Sequence, residues 1–219
     1  MAYIPKACLF DLDGVIVDTA KYHFSGWKRL AEELGVPFTQ EDNEQLKGVS
    51  RVGSLEYILS KGGLVLDNDT KVRLMERKND QYLELVSGMT PDELFPGVIP
   101  FIDELRSQGI KVGLGSSSRN APLILERCEI VDRFEAIVDG NSITFSKPDP
   151  EVFLKGAQAF GVAPSECVVF EDAVSGVQAA VNGGFRAVGV GDPQTLAAAE
   201  FVIAGFEDFN LEVLSNRLS

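Results

Sequence analysis

The 219-residue sequence predicts an α/β protein, a doubly wound parallel sheet interrupted by one helical insertion. Three observations lead there. Six short runs are nearly continuous in apolar character, as strands covered on both faces are. Helical patterns separate most of them, and alternating strands and helices build a parallel sheet with helices on both faces. Between about Asp18 and Thr90 the alternation stops and only helical stripes occur.

The first strand is expected over Ala7–Leu12 and runs into Asp11-Leu12-Asp13-Gly14. The insertion then shows three stripes at helical spacing: His23, Trp27, Leu30 and Leu34; Leu55, Ile58 and Leu59; Val72, Met75, Tyr82 and Val86. Ser87-Gly88-Met89-Thr90-Pro91 reads as the hinge by which the chain returns. A helix on Val98, Phe101, Ile102 and Leu105 ends at Gly109 and leads into a strand over Lys111–Gly115. The next strand is Ala136–Val138, followed by a helix on Val152, Phe153 and Phe160 ending near Gly161. Cys167–Phe170, a weaker helical pattern from Glu171 to Gly183, and strands at Ala187–Val190 and Phe201–Ile203 complete the order. Glycine after each helical pattern fits a left-handed cap. The expected division is a core of residues 1–17 and 91–219 and an insertion of residues 18–90. In open α/β sheets, ligands bind beyond the carboxyl ends of the strands. An insertion leaving there lies over the pocket, either as a lid that excludes water or as a subdomain that only packs.

The net charge of −13 argues against nucleic acid or an anionic membrane surface as partner. No apolar run is long enough to span a bilayer, and the N-terminus lacks the order of a signal peptide. The expected setting is the cytoplasm. Cys8, Cys128 and Cys167 lie far apart, without metal-ligand spacing; Cys8 and Cys167 sit in strand-like runs and read as small core residues.

Four segments place polar groups at strand ends. Asp11 and Asp13, two apart on an extended chain, face one side, and like charges this close call for a cation or a shared proton. A strand followed by an Asp-Gly turn describes the same residues. Gly115-Ser116-Ser117-Ser118-Arg119-Asn120 offers hydroxyls and amides of the kind that bind phosphate oxygens, or an ordinary helix cap. Ser146-Lys147-Pro148-Asp149-Pro150 brings Lys147, fit to neutralise a phosphoryl group. Glu171-Asp172 supplies two carboxylates, for a metal or for a helix start.

In this order, Phe10-Asp11-Leu12-Asp13-Gly14, Ser116, Lys147 and Glu171-Asp172 resemble the four motifs of the haloacid dehalogenase (HAD) superfamily of phosphotransferases. The resemblance covers essentially the whole chain and implies a Rossmann-like, HAD-like core with the insertion as a helical cap. Within the cap, Thr19-Ala20-Lys21-Tyr22-His23-Phe24, Trp27, the stretch Asn43 to Arg51, Ser54-Leu55 and Arg77-Lys78-Asn79-Asp80 are similar to the β-phosphoglucomutase family. Two departures from that family's pattern are Arg119, where lysine is expected, and Ser117, where alanine is familiar. Arginine keeps the charge but presents a planar fork.

The resemblance implies interconversion of β-D-glucose 1-phosphate and glucose 6-phosphate through glucose 1,6-bisphosphate. The alternative is a Mg²⁺-dependent sugar-phosphate phosphatase. It implies Asp11 as nucleophile and Asp13 as general acid and base. Mg²⁺ would be held by Asp11, the Asp13 carbonyl and carboxylate from Glu171 or Asp172. Ser116, the backbone of Ser117, and Lys147 would hold the transferring phosphoryl group. Arg51 on the cap, with Ser118, Arg119 and Asn120, would grip a second phosphate. His23 is the only histidine; a packing role and a role in cap closure or sugar contact, with Lys78, are both open. Thr19 orients Asp13 or caps a helix. Trp27 belongs to the cap's core, and Gly48, Val49 and Ser54 line the sugar site or form a turn and helix start. A monomer acting on small sugar phosphates is expected.

Overall fold

The computed structural model describes residues 3–219. Its sheet holds β1 (Ala7–Phe10), β2 (Lys111–Gly115), β3 (Ala136–Val138), β4 (Cys167–Glu171), β5 (Arg186–Val190) and β6 (Phe201–Ile203). All are parallel, in the spatial order β3-β2-β1-β4-β5-β6. The order reverses direction beside β1, and the crevice between β1 and β4 is where such a sheet binds ligands.

Strand residues alternate between two cores. Cys8, Phe10, Val112, Leu114, Val168 and Phe170 face one side; Ala7, Leu9, Cys167 and Val169 face the other. Phe10 and Phe170 are register partners, and their rings stack 4.7 Å apart. Phe101, Phe206 and Phe209 pack around them. Each such ring contributes about 1.5–3 kcal/mol on burial. The next residues after this stacked pair are Asp11 and Glu171, so the register that stacks the rings also sets the two carboxylates side by side. The Asp11 amide donates to the Phe170 carbonyl at 3.0 Å.

The first strand is two residues shorter than its apolar run suggests. Leu12 is fully buried, but its carbonyl accepts from Ile16 and Val17 at 2.9 and 3.1 Å, closing a turn in which Gly14 has φ of +90°. Asp11, Leu12 and Asp13 therefore lie on that turn, beyond the strand.

The insertion contains α1 (Ala20–Glu33), α2 (Gln40–Gln45), α3 (Arg51–Gly62) and α4 (Asn68–Val86). Trp27, Leu30, Leu55, Ile58, Leu59 and Leu74 give it a core of its own. The stripe expected on α4 is corrected at its start. Val72 is 47% exposed, and the buried positions are Leu74, Lys78, Tyr82 and Val86, four residues apart. Tyr82, Val86 and Met89 belong to the main core, so α4 has one end in each. The outgoing and returning chain segments run side by side: Val17 bridges Leu94, and Phe95 donates to the Ile16 carbonyl at 2.9 Å.

No apolar stripe marks α2; it forms because Thr39 and Asp42 make a reciprocal capping box. Asp42 also accepts from Tyr57 at 2.8 Å and pairs with Lys61. Burial opposes its charge, but Lys61, the Thr39 amide and Tyr57 outweigh that and hold the carboxyl well below its ordinary value of 3.8. A lowered folded-state value stabilises the fold above the ordinary range, and the contribution is lost as pH falls below it. Asp42→Ala is expected to cost about 1–3 kcal/mol at pH 7 and progressively less below pH about 4. Urea melts of both proteins at pH 7 and 3.5 check this; a cost that does not shrink on acidification contradicts it.

Helices α5 (Val98–Ser107), α6 (Ala121–Arg127), α7 (Glu151–Phe160), α8 (Val174–Asn182) and α9 (Leu211–Arg217) cover the sheet. Val98, Phe101, Ile124, Leu125 and Leu214 pack on the Phe10 side, and Val152, Phe153, Val177 and Ala180 on the Leu9 side. Gly109 and Gly161 take the left-handed turn after α5 and α7 as expected. After α8, Gly183 stays right-handed and Gly184 makes that turn.

Candidate active site

The site begins at the crevice between β1 and β4. The Lys147 side chain is fully buried there; its ammonium donates to Asp11 Oδ1 and Glu171 Oε1. Glu171 Oε2 accepts from the Ala173 amide at 2.8 Å. Burial opposes the charge on Lys147, but Asp11 and Glu171 outweigh it, so the lysine stays ionised. Burial raises the Glu171 carboxyl, with Asp11 and Asp172 adding to the effect and Lys147 opposing it. Burial, then the Asp11 charge, likewise raises Asp172 against the pull of Lys47.

Two glycines make room for these acids. A Cβ on Gly176 would collide with the Glu171 carboxylate, and one on Gly14 with that of Asp172. Asp11, Glu171 and Asp172 each offer an oxygen, and these atoms lie within 4.8 Å of one another. Lys147 is bound to the first two and Lys47 pairs with Asp172, so three carboxylates face two lysines and the cluster is short of positive charge. An all-oxygen, anionic donor set of this kind fits a hard divalent cation.

Asp13 stands beside the cluster. The fully buried Thr19 hydroxyl donates to Asp13 Oδ1 and makes no helix-capping bond, so of the two readings of Thr19 the geometry takes the first. Burial and the charge of Asp11 raise the Asp13 carboxyl, partly offset by Thr19. His23 Nε2 is 3.8 Å from Asp13 Oδ1, and its Nδ1 is 3.2 Å from Lys78 Nζ. Burial, then the Lys78 and Arg51 charges, lower His23 and keep the imidazole neutral. Lys78 is 4% exposed, with its ammonium 4.6 Å from the Trp27 ring centre and 4.7 Å from that of Tyr82. Burial, then Arg51, bring it down to about 7.

The segment after β2 forms the facing wall. Ser116 is buried, its amide donating to the Val138 carbonyl and its hydroxyl accepting from the Ser118 amide at 3.1 Å. The buried Ser117 hydroxyl has no protein partner among the described residues. Arg51 donates to Asn79 Oδ1 at 2.6 Å, and Asn120 donates to the same oxygen at 3.1 Å. Burial, then the nearby Arg119 charge, lower Arg51.

These walls enclose a cavity of about 680 Å³ between insertion and core. Asp11, Asp13, Asp172, His23, Trp27, Gly48, Val49, Arg51, Ser54 and Lys78 line it, with Ser117, Ser118, Arg119 and Asn120 opposite. Lys147, Glu171, Thr19 and Ser116 are not on its wall; the first three support the lining acids from behind, and Ser116 braces the serine loop. Sequence reasoning left Lys47 and Asn79 without a role. Lys47 pairs with Asp172 at 3.2 Å, and Asn79 joins Arg51 to Asn120. Their sequence signal is their place in the two cap stretches, Asn43 to Arg51 and Arg77 to Asp80, which carry the resemblance.

A parallel α/β sheet with a carboxylate cluster, a buried lysine and a hydroxyl-rich loop at its strand ends defines a phosphoryl-handling protein. Residues 5–184 match the family described as haloacid dehalogenase-like hydrolase, and the chain belongs to that family. It is 47% identical to the β-phosphoglucomutase of Bacillus subtilis over 95% of this chain and 93% of that one. It is 33% identical to a phosphorylated carbohydrates phosphatase of Thermotoga maritima, covering 84% of this chain and 83% of that one. The crystal structure of a β-phosphoglucomutase from Clostridium difficile superposes with a TM-score of 0.94 at 36% identity, covering 98% and 97% of the chains.

Proposed function

We propose that this enzyme is a β-phosphoglucomutase, interconverting β-D-glucose 1-phosphate and glucose 6-phosphate through an aspartyl phosphate and glucose 1,6-bisphosphate. The B. subtilis relative supports this, and one structural observation carries it. Arg51 and Arg119 make a cationic station on the cavity wall, separate from Lys147, which lies behind Asp11. A bisphosphate held while one end reacts needs such a station. In this reading residues 18–90 are the cap and residues 1–17 and 91–219 the catalytic core.

Mg²⁺, when bound by Asp11, Asp172 and the Asp13 carbonyl, supplies charge neutralisation at the transferring phosphoryl group. Glu171, which also holds Lys147, would contribute its carboxylate to the same ion. A sugar hydroxyl attacks the phosphorus of phospho-Asp11 and gives its proton to Asp13; the P–O bond to Asp11 breaks. In the other direction Asp11 attacks the bisphosphate, and Asp13 returns the proton to the departing sugar oxygen. Thr19 fixes the Asp13 carboxylate that does this. Lys147, Ser116 and Ser117 position the moving phosphoryl group, and Arg51, Ser118, Arg119 and Asn120 bind the other phosphate. His23 and Lys78 contact the sugar as the cap closes, with Trp27 packing beneath and Gly48, Val49 and Ser54 shaping the wall. The enzyme works as a monomer in the cytoplasm. Three buried, unpaired cysteines support a reducing compartment, and no helix of the described residues is long and apolar enough to cross a membrane.

The deciding experiment supplies Mg²⁺, β-glucose 1-phosphate and a trace of glucose 1,6-bisphosphate, and follows glucose 6-phosphate and free phosphate together. Glucose 6-phosphate from the β-anomer alone, with little free phosphate, is expected. Free phosphate matching substrate loss overturns the mutase in favour of a phosphatase. Arg51→Ala is expected to lower mutase kcat/KM about 10–100-fold, as loss of a charge-assisted hydrogen bond does. Hydrolysis of acetyl phosphate, which has no second phosphate, should change little. Equal losses in both assays contradict the distal role.

A further inference from the structure

Lys47 stands in the loop between α2 and α3, on the cap, yet its ammonium lies 3.2 Å from Asp172 Oδ2 in the core. The Asp172 side chain is 8% exposed and that of Lys47 28%, so the carboxylate is shielded from water and the lysine is half-buried. Lys147, whose side chain is fully buried, is bound to Asp11 and Glu171. Among the described residues Lys47 is the cation paired with Asp172, and it comes from the part of the chain that covers the site. The loop that carries it is seated on the core. The Ser175 hydroxyl donates to the Lys47 carbonyl at 3.3 Å, and Gly48, with φ of +69°, packs so closely that a Cβ would collide with Ser175 Oγ. Glu44 holds the ammonium from the cap side at 2.9 Å.

Asp172 is also one of the three carboxylates that fit a divalent cation. An ammonium and a divalent cation on one carboxylate repel each other, and both are drawn by the same charge deficit.

We propose that Lys47 is a cap-borne counter-ion that competes with the metal for Asp172, so that cap position and cation occupancy are linked. Without metal, Lys47 neutralises Asp172 and latches the cap on the core. With metal, Asp172 no longer needs Lys47, and the latch weakens. By reciprocity, closing the cap on Asp172 through Lys47 lowers metal affinity, and the metal loosens the closed cap by the same factor. This rests on the metal reading of the carboxylate cluster.

Mn²⁺ binding to the full-length protein, by calorimetry and by the loss of free-ion paramagnetic resonance signal, tests the link without any turnover. A pair of spin labels on exposed positions, Val65 on the cap and Arg106 on the core, reports cap position. In Lys47→Gln, Mn²⁺ is expected to bind about tenfold more tightly, and the metal-free protein should show the longer label distance that wild type reaches only with Mn²⁺. Lys47→Arg, which keeps the charge, should retain wild-type affinity and the short metal-free distance. Unchanged or weaker Mn²⁺ binding in Lys47→Gln, or a label distance that ignores both metal and substitution, overturns the proposal. Absence of Mn²⁺ binding in wild type, or binding undiminished in Asp172→Ala, removes the metal reading itself.

Discussion

Asp11→Asn is expected to abolish turnover, with kcat reduced at least about 10⁴-fold while the protein stays folded. Asparagine has the size of aspartate but is a far poorer nucleophile toward phosphorus. Its amide still fits the space beside Lys147, and Phe10 still stacks on Phe170 to hold the backbone. Two measurements separate chemistry from folding. Beryllium fluoride, a mimic of an acyl phosphate, should give a bound fluorine signal with wild type and Mg²⁺, and none with the variant. The thermal transition should move by only a few degrees. A variant that still acquires label from glucose 1,6-bisphosphate would place the nucleophile elsewhere.

Lys147→Ala should lower turnover about 10³-fold or more and also destabilise the fold. Lys147 is fully buried between two acids, and its removal leaves Asp11 and Glu171 without their shared cation. Breaking a buried pair by deleting one partner costs about 3–5 kcal/mol. The pH dependence follows from Glu171, which burial already raises above its ordinary value of 4.5. Without Lys147 its folded-state value rises further, so the folded variant binds a proton more tightly than the unfolded chain. The variant's deficit relative to wild type is then smallest at low pH and opens as pH rises past the wild-type Glu171 value of about 8, growing until the variant's own value is reached. Urea melts in a metal chelator at pH 6 and 8.5 should show the larger deficit at 8.5. A deficit equal at both values means that Glu171 finds another partner.

Much of this arrangement is legible in the residues, and its limits have physical causes. β2, β3 and β6 keep the bounds of their apolar runs. β1 overran because Leu12 is as apolar as a strand residue, although its carbonyl closes a turn. α2 escaped because a helix built on a capping box has no stripe. Val72 misled because an apolar residue at helical spacing can face a cavity as well as a core. Within the site, the four strand-end segments come together because the parallel register compels it. Lys47 and Asn79 lay in quoted cap stretches without a role because their partners, Asp172 and Asn120, are 125 and 41 positions away. Only the seating of the insertion on the sheet brings them into contact. Thr19 had two readings that spacing could not separate, and the hydroxyl's direction separates them.

The stacked pair of Phe10 and Phe170 has a further consequence, for the order of events in folding. Their strands are paired from Ala7 and Cys167 onward, so about 160 residues lie between the two halves of the carboxylate cluster. Contacts this distant in sequence form slowly, because the intervening loop must close before any pairing rewards it. Helices of the insertion can form and collapse locally while Asp11 and Glu171 are still far apart. Regain of activity after dilution from denaturant would therefore trail regain of helical signal, and the enzyme's own turnover would time the closure of its most distant strand pair.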